Sequence, residues 1–396
     1  MAHTERLYYT NCYLKEFSAR VIRADSDPRG TRVYLDRTAF YPESGGQPSD
    51  RGTLAGMPVI DVIDEGGEIA HLLADEPAYK PVQGSIDWER RFDHMQQHTG
   101  QHILSAAFER VGSNKTVSFH LGTESATIDL DSDRVGTQQI ETAEELANRV
   151  VFENRPVQIS FRPATEAGQL ELRKPTFREG DIRLVEVEEF DLSACGGTHV
   201  SRTGGVGIIC VRKVERAKGL MRVEFVCGGR AWRRARQDFA TLSEAARLFS
   251  TGLENVPEMI AKQAQELREA GKSQQKLVEE LAEKEAAQLW QQAPEKGGVR
   301  VVRRLLEAPG GKKAKLIAHA VGKQAGAIAL IGVKGMPTGL FFAQTPGGKA
   351  NLFEVMKQAL AKFGGKGGGA PDFAQGGGLP EDQLEAALAF AESLLA

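Results

Sequence analysis

His98-Thr99-Gly100-Gln101-His102 and Cys195-Gly196-Gly197-Thr198-His199 each hold two metal-ligating side chains four positions apart. On a helix this spacing puts His98 and His102 on one face a turn apart, which is how a helix offers two imidazoles to one tetrahedral zinc ion. The second motif adds a thiolate and a third imidazole. Four protein donors would close the shell, and a closed shell is by default structural. Catalysis needs one donor held loosely, or a coordination number that can rise, so that the ion polarises a carbonyl or acidifies a water. The spacing leaves both roles open. His94, one turn before His98, reads as a supporting or core histidine, and so does His120. Cys210 and Cys227 lie among apolar residues and read as inert thiols.

Two further stretches can touch a ligand. Residues 40–52, running from Phe40 through Glu43, Ser44, Gly45, Gly46 and Gln47 to Gly52, are too rich in Gly, Pro and polar side chains for a strand. They read as a loop offering backbone amides and the Gln47 side chain. Residues 364–369, with Lys366 among five glycines, and the glycines at 376–378 lack the Lys-Ser/Thr of a phosphate loop. Successive amides there can cradle a phosphate, or the stretch is a plain linker.

The elements that must position these residues are legible in outline, and the fold class they imply is α+β. Residues 1–85 read as a small β-barrel-like module, with strands at 32–35, 59–63 and 69–73. Residues 86–239 read as the α+β domain that carries the metal motifs. Its amphipathic helix at 91–111 is marked by Met95, Ile103, Leu104, Ala107, Phe108 and Val111. A capping box, Thr142-x-x-Glu145, predicts a second helix to about residue 153, and strands are expected at 116–120, 126–130, 182–187, 206–214 and 221–226. Residues 240–295 predict a long helix, or a hairpin turning at Gly271-Lys272-Ser273, with a heptad-like series able to pair with a second copy. Residues 296–396 read as a small α/β domain with a helical tail from Glu381.

Composition narrows the class. The 396 residues are 41% hydrophobic and 26% charged, no apolar run approaches a bilayer span, and the N-terminus shows no signal-peptide pattern, so a cytoplasmic location is expected. Net charge is only -3, yet residues 297–379 carry 12 Lys and Arg against Glu307, Glu354 and Asp372, a distribution that faces polyanions.

With these motifs together, the chain resembles the freestanding alanyl-tRNA editing proteins of the long AlaX type, akin to the editing half of alanyl-tRNA synthetase. The resemblance runs through Leu7-Tyr8-Tyr9, the 40–52 loop, both metal motifs, Met221-Arg222-Val223-Glu224-Phe225 and the glycine-rich 364–378 region, which is similar to a domain shared with DHH-type phosphoesterases. It implies hydrolysis of the ester on alanine tRNA charged with serine or glycine. It also implies one zinc ion per chain on His98, His102, Cys195 and His199, with Gln47 near the substrate. In the loop this chain carries Glu43-Ser44-Gly45-Gly46, which resembles the synthetase editing domain, where the short proteins have a threonine and three glycines; Ser44 is a candidate reader of the serine hydroxyl and Glu43 a weaker one. The C-terminal domain is expected to bind tRNA, with Lys366, Gly367, Gly368 and Arg222 as candidate contacts, and a homodimer can form through the 240–292 helix or that domain. The DHH motif and a class II aminoacylation core are not recognisable, so the expected activity is deacylation in trans. The competing expectation is a zinc-stabilised tRNA-binding module without catalysis.

Overall fold

The computed structural model describes residues 3–78, 81–176, 179–307 and 310–395, and the chain divides into two compact units, Met1–Ala245 and Ala246–Ala396. In the first unit, alternating buried and exposed residues build two four-stranded antiparallel sheets near the N-terminus. One is ordered Glu16–Ala19, Val82–Ile86, Gly52–Leu54, Met57–Pro58, and the other Val21–Asp27, Gly30–Leu35, Ile69–Leu73, Asp61–Asp64. Their apolar faces share one core that includes Phe17, Val33, Leu35, Phe40, Leu54, Ile69 and Leu73.

The histidine helix follows at Trp88–Gly112. Asp87 caps its start by accepting from the Arg90 amide, and Ser113 ends it in the left-handed conformation at φ 56°. Met95, Ile103, Leu104, Ala107 and Phe108 pack into a second core, closed by the antiparallel sheet Thr116–Leu121, Ala126–Leu130, Leu220–Cys227, Ile209–Ala217. A three-stranded sheet of Val157–Pro163, Asp181–Val187 and Asp191–Ala194 delivers the cysteine motif at its end.

The helix expected to open at the Thr142 capping box in fact begins at Thr137, and Thr142 donates back to the Gln138 carbonyl instead. The apolar series of Ile140, Ala143, Ala147, Val150 and Val151 already faces the core before Thr142, and its burial outweighs the local cap.

In the second unit, helix Val256–Gln292 runs 37 residues straight through Gly271, so no hairpin turns there, but the helix expected from 240 is not continuous either: helix Gly228–Phe249 ends first, and a short turn at Leu253–Asn255 separates the two. A six-stranded mixed sheet follows in the order Glu295–Lys296, Val299–Leu306, Ala327–Val333, Gly339–Gln344, Phe373–Gly377, Lys366–Ala370. Ala327–Val333 is buried at every position, as a central strand covered on both faces must be. Helices Leu352–Phe363 and Leu384–Ser393 cover one face, and Gly311–Gly322 with Ala282 and Ala286 of the long helix cover the other.

Candidate metal centre

The histidine helix and the strand-end loop bring His98, His102, Cys195 and His199 together, with their ligand atoms all within 4.8 Å of one another. The Cys195 sulfur lies 3.4 Å from His98 Nε2 and 3.3 Å from His199 Nε2. Tetrahedral zinc with ordinary bond lengths separates a bound sulfur from a bound nitrogen by about 3.5 Å, so spacing and donor set both fit that ion.

Each imidazole is oriented from behind. His98 Nδ1 lies 2.7 Å from Gln47 Oε1, His102 Nδ1 lies 2.9 Å from an Asp191 carboxylate oxygen, and His199 Nδ1 lies 3.2 Å from the Thr99 hydroxyl. The Gln47 amide is fixed because the Thr198 backbone N–H donates to Oε1 while Nε2 donates to the Thr198 hydroxyl. Oε1 is therefore an acceptor, His98 carries its proton on Nδ1, and the Nε2 lone pair points at the cluster. Asp191 selects the same tautomer for His102, and is itself held by Arg173 at 2.6 Å and the Ser193 hydroxyl at 2.9 Å.

The electrostatics suit a cation. Burial pushes the Cys195 thiol up, but the His98 and His199 imidazoles outweigh it and hold the thiol well below its ordinary range. Burial pulls His102 down, and the Asp191 and Cys195 charges more than reverse this, lifting it to about 9. Burial keeps His199 down to about 3. Burial raises Asp191, yet the His102 bond and the Arg173 charge keep it an anion below its ordinary range. A thiolate and a carboxylate thus bias a largely buried cluster toward positive charge.

The 40–52 loop is fastened to the histidine helix by Arg91. This fully buried guanidinium bonds Asp50, the Cys12 carbonyl at 2.9 Å and the Ala39 carbonyl at 2.6 Å. Gln47 is fully buried, whereas Ser44 is exposed in the turn, its backbone paired with that of Gln47. His94 is buried outside the cluster, and burial with Arg90 and Arg230 nearby pulls it down to about 3. His120 is exposed on its strand, not buried as expected, because side chains at alternate positions there face away from the core. Burial pushes the Cys227 thiol far up, in keeping with an inert core residue.

Asp191, Arg173, Thr99 and Thr198 were not picked out by motif, although an acid four residues before Cys195 in an alternating stretch is a usable signal for a ligand-orienting carboxylate. Gln101 and Ser105 extend the ligand face of the helix, with the Gln101 amide donating to Ser105 at 2.9 Å.

Among known proteins, residues 182–224 match the model described as "Threonyl and Alanyl tRNA synthetase second additional domain", and residues 260–396 match the DHHA1 domain. The alanyl-tRNA editing protein AlaX-L of Pyrococcus horikoshii is 33% identical, with 97% of this chain aligned to 97% of that protein. The chain belongs to the AlaX-L family. Alanine–tRNA ligase of Pyrococcus abyssi is also 33% identical, over 95% of this chain, but the chain spans only 42% of that ligase. The solved C-Ala domain of Aquifex aeolicus alanyl-tRNA synthetase aligns with 26% of this chain and 97% of that domain, at 21% identity and a TM-score of 0.25, too low to argue from.

The other expected contacts fall on elements other than those that carry the His and Cys cluster. Arg222 is committed to a two-pronged bond with Asp129 at 2.7 and 2.9 Å. Lys366, Gly367 and Gly368 form the edge strand Lys366–Ala370, paired antiparallel with Phe373–Gly377, so the glycine-rich stretch is a hairpin and not a linker. A side chain on Gly367 would meet Leu360 Cδ1 and the Gln375 carbonyl at 2.6 Å, and one on Gly376 would meet Leu360 at 2.8 Å, so these glycines let helix Leu352–Phe363 press onto the hairpin. Gly368, on the alternate face, has nothing within 4 Å. That face borders a cleft of about 1080 Å³ lined also by Lys315, Lys334, Phe341 and Phe373, with no carboxylate among its described lining residues. Lys334 is partly spent on Glu307 at 2.7 Å. Among the described residues, no helix is long and apolar enough to cross a membrane.

Proposed function

We propose that this chain is a trans-acting hydrolase that removes serine or glycine from wrongly charged alanine tRNA. The convergence of His98, His102, Cys195 and His199 in a chain matched end to end by an alanyl-tRNA editing protein carries this assignment. Such a hydrolase is needed because a pocket shaped for alanine cannot strongly reject smaller glycine or a side chain that merely adds a hydroxyl.

The four side chains would hold one zinc ion, which when bound supplies Lewis-acid polarisation of an ester carbonyl and orientation of a water. Gln47, Asp191 and Thr99 keep the three imidazole lone pairs aimed inward. Ser44, exposed in the loop that carries Gln47, is the proposed reader of a substrate hydroxyl. Lys315 and Lys366 at the carboxylate-free cleft bind RNA phosphates by charge neutralisation, with the open amide edge of Gly367 and Gly368 beside them. Ile260, Leu267, Leu277 and Leu281, each more than half exposed along the long helix, offer a seam for a second copy. The substrate places the protein in the cytoplasm.

The test is release of amino acid from Ser-, Gly- and Ala-charged alanine tRNA by the wild-type chain and by His102→Ala. We expect serine release by the wild type, and at least about a 100-fold loss with the bound metal in the variant. Undiminished release by a metal-free variant would overturn the assignment. A four-donor shell also favours the non-catalytic RNA-binding alternative, which predicts tRNA binding with no release by either protein.

A further inference from the structure

On the basis of the zinc centre proposed above, we infer that Arg183 is a positioning residue for the thiolate ligand: it holds the Cys195 peptide from both sides and ties it to the N-terminal turn.

Cys195 sits just past the end of strand Asp191–Ala194, whose last ladder partner is Leu184 opposite Ala194. Beyond that point the sheet alone does not fix the cysteine. Arg183 does so twice. Its backbone carbonyl accepts from the Cys195 N–H at 3.1 Å, and its guanidinium donates to the Cys195 carbonyl at 2.6 Å. The same guanidinium donates through Nε to the Tyr9 carbonyl at 3.0 Å, and it lies 5.4 Å from the centre of the Tyr9 ring. Arg183 is only 6% exposed, so these bonds form out of competition with water. The Tyr9 side chain in turn lies against Gly196, where an added Cβ would meet its hydroxyl in ordinary contact at 3.6 Å.

From the other side, Arg91 of the histidine helix grips the Cys12 carbonyl at 2.9 Å. The short segment from Tyr9 to Cys12 is therefore stitched to the element carrying His98 and His102 by one buried guanidinium, and to the element carrying Cys195 by another. It thereby couples the element carrying the thiolate to the helix carrying His98 and His102. A planar fork is required at position 183, since an ammonium has no such geometry to span the Cys195 and Tyr9 carbonyls together.

Cobalt(II) titration of the full-length chain tests this, because thiolate coordination gives a charge-transfer band in the near ultraviolet that a merely structural change would not move. For the wild type we expect that band. For Arg183→Gln we expect a weaker or shifted band and cobalt affinity reduced about 10- to 100-fold, with an unchanged far-ultraviolet circular dichroism spectrum. Arg183→Lys should fall between the two. A folded Arg183→Gln chain with wild-type affinity and an unshifted band would overturn the assignment. Should Arg183→Gln fail to fold, Arg183→Lys decides on the same two readouts. A wild-type chain with no charge-transfer band would instead refute the metal centre itself, so the two failures are distinct.

Discussion

The metal centre and the glycine-rich cleft place their polar groups in opposite surroundings. At the centre the three histidines and the groups that orient them are buried while Cys195 is partly exposed, each outer imidazole nitrogen has a partner, and Gln47 and Asp191 reach the histidines from 51 and 89 residues away along the chain. At the cleft the polar equipment is lysines and a strand edge, facing outward with no acid among the described lining residues. Buried polar groups demand partners and so enforce one geometry, whereas an open basic surface tolerates many. The first arrangement suits chemistry on a small group, and the second suits a long polyanion.

Acid should break this contrast most strongly. His71 in the N-terminal unit is fully buried and fully bonded, with the Val33 carbonyl at 3.0 Å and the Thr38 hydroxyl at 2.8 Å, and burial lowers it to about 4. The neutral ring is the folded form. Its contribution is present above the unfolded value of 6.5 and is lost as the pH falls from there toward 4. The expected loss is about 3 kcal/mol. Comparing unfolding free energy against pH for the wild type and His71→Gln isolates it, and parallel curves would show that the ring is not held neutral.

A smaller effect is expected from Asp191→Asn. The amide can still bond His102 Nδ1, but it removes the charge that raises the basicity of the ligand, so zinc affinity should fall about 10- to 100-fold while RNA affinity stays unchanged. Competition with a chromophoric chelator measures the first and filter binding the second. Equal zinc affinity in the two proteins would make the carboxylate dispensable.

The smallest effect belongs to the cleft. Lys315→Ala or Lys366→Ala should each lower the slope of log affinity for tRNA against log salt by about 0.7 to 0.9, with metal content untouched. Slopes identical to wild type would move the phosphate contacts elsewhere.

How much of this could be read from the residues follows the same division. The four clustered side chains were legible because each pair is local, and a spacing of four on a helix is a geometric statement. The groups behind them were not, since Asp191 meets His102 only after a strand and a helix pack, and nothing near Gln47 in the chain names His98 as its partner. The α/β character of residues 296–396 was legible from apolar runs alternating with a helical period, but the parallel pairing of Val299–Leu306 with Ala327–Val333 came only with the structure. The start of the helix at Thr137 was not, because a good local cap at Thr142 competed with burial decided by distant strands.

The hairpin of Lys366–Ala370 and Phe373–Gly377 also bears on how such a stretch can drift over evolutionary time. Gly367 is hemmed in by Leu360, while its neighbour Gly368 opens onto free space. Two adjacent and identical letters thus live under unequal constraint, one locked by a helix overhead and the other free to acquire whatever side chain a ligand rewards. A run of glycine that looks monotonous on paper is, in three dimensions, an alternation of fixed and adjustable positions.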